Sequence, residues 1–176
     1  MLDIAVSYNR YKFLGNEFLT WLWFMIENDQ TFFTKIDIEC TALEIGDKIS
    51  FENRKKESLE VVSIKGDHAG WEEGKLSLQK GSLVTELNLL YHSGPGKWRF
   101  SLKGENLGIG NLKTPEGGRV ETKEDLEGAI LEKIFLLDKA ISFIQGLFRR
   151  FLKLRVSPQW QADSIPMMKE WINSTK

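Results

Sequence analysis

Between residues 11 and 28 the large apolar side chains Phe13, Leu14, Phe18, Trp21, Leu22 and Met25 recur at spacings of three and four, which predicts a helix. Leu19, Trp23, Phe24 and Ile26 fall off that stripe. A helix apolar nearly all round is expected to be buried on more than one side, within its own domain or against a second subunit. After Gln30 the period changes to two. Ile36, Ile38 and Cys40 alternate with Lys35, Asp37 and Glu39, the pattern of a strand with one buried face. Gly46 and Asp47 read as a turn into Ile49 and Phe51, and residues 59–64 are β-branched and apolar enough for another strand. Leu76 and Leu78 alternate with Ser77 and Gln79 and predict one more. Residues 83–91 and the series Trp98, Phe100, Leu102 then read as a hairpin across Ser93-Gly94-Pro95-Gly96. Strands joined by turns and not by helices predict a largely antiparallel sheet of five to seven strands.

Residues 115–118 close the strand-rich part of the chain, and Thr122 followed by Asp125 forms a capping box with Asp in place of the usual Glu. From there Leu126, Ile130, Ile134, Leu137, Ile141, Ile144, Phe148 and Leu152 keep helical spacing, ending before Ser157-Pro158. Such a helix is about 45 Å long at 1.5 Å per residue, with Gly146 the place where a kink is expected. A short helix over residues 164–173, with Pro166 in its first turn, carries Met167, Met168, Trp171 and Ile172. The fold class expected is α+β, one domain over residues 1–176: strand-rich at 30–113, helical at 10–28 and 123–173.

Composition narrows this picture. A chain of 176 residues that is 41% hydrophobic supplies one sizeable core. The apolar cluster at residues 18–26 is too short to span a bilayer, which needs about 20 such residues, so no membrane partner is expected. Charges nearly cancel, to a net of -1, so recognition of a charged partner has to be local. Cys40, the single cysteine, excludes an intrachain disulfide and a metal site built on several thiolates, and suits a reducing compartment. No signal-peptide pattern opens the sequence, and a cytoplasmic location is expected.

Candidate chemistry is sparse. His68 and His92, the only histidines, read as exposed loop residues, and no pattern of metal ligands occurs. Adjacent Glu72 and Glu73 read as solvated charge. Leu107-Gly108-Ile109-Gly110-Asn111 lacks the third glycine and following helix of a dinucleotide site, so its glycines are read as permitting a bulge or bend. No cofactor is expected. Trp21, Trp23, Trp98 and Phe100 lie in apolar patterns and are expected in the core, while Trp71 is the tryptophan expected to be exposed. Between residues 139 and 155, Lys139, Arg149, Arg150, Lys153 and Arg155 supply five positive charges and no acid. Arg149, Lys153 and, more loosely, Arg150 share a helix side and are suited to phosphate contact. The helix dipole by itself favours cations there by about 0.3–1 kcal/mol each. Arg54, Lys55 and Lys56 form a second basic candidate.

The peptide Leu14-Gly-Asn-Glu-Phe-Leu-Thr-Trp-Leu-Trp-Phe24 resembles a signature of the recombination-associated protein RdgC family and its divergent relatives. Further segments match in the same order: residues 74–78 and the strand after them, 98–102, 112–115, and 150–160. The resemblance covers most of the chain, which looks like a C-terminal or shortened portion of the longer family members. It implies a non-enzymatic, sequence-nonspecific duplex-DNA-binding protein associated with recombination, acting as a homodimer or larger assembly and associated with the nucleoid. The phosphate-contact candidates are Arg149, Arg150, Lys153 and Arg155, then Arg54, Lys55 and Lys56. The alternative is a protein-interaction module, phage- or defence-associated, that keeps the fold without DNA affinity and binds through the aromatic residues of 21–26. An enzyme is a third reading, requiring Glu17, Glu72 or Glu132 in a deep pocket beside a histidine.

Overall fold

The computed structural model describes residues 13–55, 58–66, 68–118 and 122–174. They form an α+β fold in which a five-stranded antiparallel sheet carries helices against one face. Helix α1 is Phe13–Asn28 and the short α2 is Thr31–Thr34. Strands β1 (Cys40–Lys55) and β2 (Ser58–Lys65) form a hairpin, followed by helix α3 (His68–Gln79). Next come β3 (Leu83–Ser93), β4 (Gly96–Lys103) and β5 (Ile109–Lys113). Helix α4 (Lys123–Arg155), a π-helical turn (Trp160–Ser164) and α5 (Ile165–Asn173) complete the element order. The strands lie in the order β2-β1-β3-β4-β5.

The period-two pattern of β3 and β4 puts Leu87, Leu89 and Tyr91 opposite Leu102, Phe100 and Trp98, all buried beneath the helices. Between them Glu86, Asn88, Lys97, Arg99 and Lys103 face away from that core. Helix α1 crosses the inner face against β3. Its all-round apolar character is satisfied inside its own chain: Phe18 meets Phe148 and Phe151 of α4, while Trp23 and Phe24 meet Trp171 of α5. Trp21, Trp23, Trp98 and Phe100 are in the core as expected.

Two close approaches set how the helices seat. A Cβ on Gly15 would lie 1.7 Å from the carbonyl oxygen of Gly104, so the first turn of α1 abuts the backbone after β4. A Cβ on Gly74 would come within 2.8 Å of the Trp23 ring and 2.9 Å of the Phe51 ring, so α3 rests directly on both.

Several expectations are corrected. Residues 36–39 are not strand, and β1 begins only at Cys40. Asp37 Oδ1 accepts from the Glu39 backbone N–H in a turn that leads into β1, and Ile38 is 90% exposed. Its alternation with Ile36 reflects no sheet face: Ile36 packs at Gly146, where a Cβ would lie 2.7 Å from its Cγ2. Gly146 lies within α4, which continues through it without a break in helical assignment, and its lack of a Cβ makes room for Ile36. Residues 76–79 end helix α3, where Leu76 is 43% exposed and Leu78 packs against the core. Gly46 and Asp47 form a bulge, with register shifting between Ile45 and Ile49, inside one 16-residue strand. The expected hairpin at Ser93–Gly96 is present, with Gly94 at positive φ, and so is the capping box: Thr122 Oγ1 accepts from Asp125 N at 3.1 Å, and Asp125 Oδ2 from Thr122 N at 2.8 Å. The strand β5 begins after a bend in which Leu107 has φ 54°.

Candidate nucleic-acid interface

The buried stripe of α4 consists of Ala140, Phe143, Ile144, Leu147 and Phe151, with Phe143 stacked on Tyr91 at a centroid distance of 4.1 Å. Packing on that side turns Arg149, Arg150 and Lys153 outward, and all three are exposed. Among the described residues neither Arg149 nor Lys153 has an ion-pair partner. Arg150 donates to the backbone carbonyl of Lys35 at 3.1 Å, which brings the exposed Lys35 to the same end of the helix.

The other two cations of the basic stretch are committed elsewhere. Arg155 Nε donates to Glu17 Oε2 at 2.6 Å, and its guanidinium lies 5.4 Å from the centroid of the Trp160 ring. Lys139 Nζ lies 2.6 Å from Glu39 and 3.9 Å from Asp37. Spacing along the helix does not separate these two classes, because Glu39 and Glu17, which claim Lys139 and Arg155, come from 100 and 138 residues away in sequence. Arg54 and Lys55 are in the last residues of β1, their backbones paired with Leu59 and Ser58. Their side chains, and Lys56 entirely, lie outside the described residues.

A basic row that the sequence pattern did not bring out lies on the outer face of the sheet. Lys97, Arg99 and Lys103 alternate along β4, and Lys113 of β5 pairs across from Arg99; all four are exposed. The signal for it is a period-two placement of cations within the hairpin strand.

Two polar clusters hold the elements together. Asp37 Oδ2 accepts from the hydroxyls of Tyr91 and Ser93, tying the turn before β1 to the end of β3. Burial by itself would raise the Asp37 pKa, but the hydrogen bonds from Ser93 and Tyr91 outweigh it and hold the carboxyl below its ordinary range. Burial pushes the neighbouring Cys40 thiol up to about 11, with Asp37 adding to the shift, so the thiol is protonated at neutral pH and poorly nucleophilic. In the second cluster Glu27 accepts from the indole N–H of Trp23 at 2.8 Å and of Trp171 at 2.7 Å, and pairs with Lys75 at 2.7 Å.

An open groove of about 870 Å³ runs past the β1 bulge, lined by Glu27, Glu44, Asp47, Glu72, Lys75 and Arg99 among others. Glu72 lines it, but no histidine does among the described residues; Glu17 is paired with Arg155, and Glu132 is exposed on α4. His92 is a half-buried strand residue of β3, 3.7 Å from Glu44, and not an exposed loop residue as expected. The side chains of His68 and Trp71 lie outside the described residues, although both positions belong to α3. Glu72 and Glu73 are exposed. Among the described residues there is no group of three or more His, Cys, Asp or Glu that could hold a metal ion, and no helix long and apolar enough to cross a membrane. Comparison with protein-family models, curated proteins and solved structures finds no match to this chain.

Proposed function

We propose that this chain is a non-catalytic, sequence-nonspecific duplex-DNA-binding protein that acts as a dimer or larger assembly. The observation that carries the reading is the exposed group Arg149, Arg150 and Lys153 on the outer side of α4, two of them without an ion-pair partner among the described residues, with Lys35 beside them. Arginine and lysine in that setting can displace the counterions of a phosphate backbone without reading bases. The row Lys97, Arg99, Lys103 and Lys113 is a second phosphate-facing candidate, and Arg155 leaves the set because it is bound to Glu17.

The test is fluorescence anisotropy of labelled duplex DNA at several salt concentrations, with an Arg149→Ala/Arg150→Ala/Lys153→Ala variant alongside. Each lost phosphate contact should flatten the slope of log affinity against log salt by about 0.9. Absence of binding at low salt by folded protein would reject the reading. The alternative, a protein-interaction module, no longer draws on residues 21–26, where Trp21, Leu22, Trp23, Phe24 and Ile26 are buried in the protein's own core. It draws instead on apolar residues that α4 leaves exposed.

A further inference from the structure

Strand β1 pairs with β3 from Cys40 onward, but β2 joins its other side only at Lys48. The first half of β1 therefore has an open edge. In an antiparallel ladder the N–H and C=O groups of successive residues point alternately to the two sides. Leu43 points away from β3, because both its groups pair with the Gln30 side chain: its N–H donates to Gln30 Oε1 at 3.1 Å, and its carbonyl accepts from Nε2 at 2.7 Å. Gln30 thus stands where a neighbouring strand would be. The register is unbroken from Leu43 to Ile45, so Ile45 turns its N–H and C=O to the same side. Neither group has a partner among the described residues. At Asp47 the edge closes again, its carbonyl accepting from Gly66 N at 3.3 Å.

Ile45 lines the open groove beside the bulge, so its bare donor and acceptor face a space that a ligand can enter. A single residue of an extended chain, laid opposite Ile45, would exchange both hydrogen bonds with it. Charge narrows the choice of chain. Glu27, Glu44, Asp47 and Glu72 line the groove against two cations, Lys75 and Arg99. Lys75 is matched by Glu27 at 2.7 Å, whereas Glu44 and Glu72 have no lysine or arginine partner among the described residues. The surplus is negative and favours a positively charged ligand. We infer that this groove binds an extended peptide of basic character, which adds a short strand at Ile45 and directs its cations to Glu44 and Glu72.

This site goes beyond the DNA reading and shares only Arg99 with the phosphate-contact candidates, so it is tested without nucleic acid. The probe is the acetylated and amidated peptide Lys-Val-Lys-Val-Lys, titrated to millimolar concentration into the isotopically labelled full chain. The amide proton resonance of Ile45 should move downfield, and its exchange with solvent should slow, as the new hydrogen bond forms. The fully N-methylated peptide, which keeps the charges but has no N–H to donate, should bind at least tenfold more weakly, and so should Glu-Val-Glu-Val-Glu. A Glu44→Gln/Glu72→Gln variant should lose about tenfold in affinity for the lysine peptide, two partly exposed ion pairs being removed. Its other resonances report that it is folded. An unmoved Ile45 resonance overturns the inference. Equal affinity for the N-methylated or the glutamate peptide overturns it too, as does undiminished affinity in the folded glutamine variant.

Discussion

Arg155 Nε donates to Glu17 Oε2 at 2.6 Å, fastening the last turn of α4 to the second turn of α1, while the same guanidinium lies over Trp160. A residue that reads as a phosphate contact in sequence therefore joins two ends of the fold. Both partners are partly exposed, so solvent screening limits the pair to about 1 kcal/mol, stacking included. Arg155→Ala should lower stability by about that amount in urea unfolding and leave the salt slope of DNA binding unchanged, because its charge is already matched. A flattened slope would return Arg155 to the interface.

Helix α1 reaches the sheet only because positions 15 and 104 are both glycine. A Cβ at position 15 would overlap the Gly104 carbonyl, which is backbone and has no rotamer to yield. Gly15→Ala should destabilise the protein by about 3 kcal/mol, the upper end for overpacking. By contrast a Cβ on Gly128, in the exposed half of α4, would meet nothing within 4 Å. Gly128→Ala should stabilise by about 0.5–1 kcal/mol through helix propensity, and thermal melting of the two variants should show opposite shifts.

The Asp37 cluster should make stability depend on pH at both ends. Because the folded pKa of Asp37 is lowered, its contribution is present above the unfolded carboxylate value and is lost as pH falls through the folded one. Burial and the Asp37 hydrogen bond raise the Tyr91 pKa, so its contribution is present below the ordinary tyrosine value and is lost as pH rises through the folded one. Asp37→Asn should be less stable than wild type at neutral pH, by about 1–3 kcal/mol, with the gap closing in acid. Denaturant midpoints measured across pH test both limbs.

Glu27 joins three elements through one carboxylate, accepting from Trp23 of α1, Trp171 of α5 and Lys75 of α3. Glu27→Ala leaves two indole N–H groups without their acceptor and should cost about 1–3 kcal/mol for each donor that finds no water. Glu27→Gln, which keeps an acceptor oxygen, should lose less. Tryptophan emission during unfolding reports both.

The α+β class, the helix ending at Asn28, the β3–β4 hairpin, the capped start of α4 and its length were all legible in the residue pattern. These rest on local rules: side-chain period, turn residues and capping chemistry act within a few positions of one another. Residues 36–39 and 76–79 were not legible in the same way, because a short apolar alternation fits a strand, a turn or a helix end until packing decides which side is covered. Packing between distant segments settles that Ile38 faces solvent, that Trp21, Leu22, Trp23, Phe24 and Ile26 are core, and that Arg155 and Lys139 are paired while Arg149 and Lys153 have no ion-pair partner among the described residues. The reason is that burial and charge pairing depend on groups distant in the chain: Glu17 is 138 residues from Arg155, and no periodicity along α4 encodes that meeting.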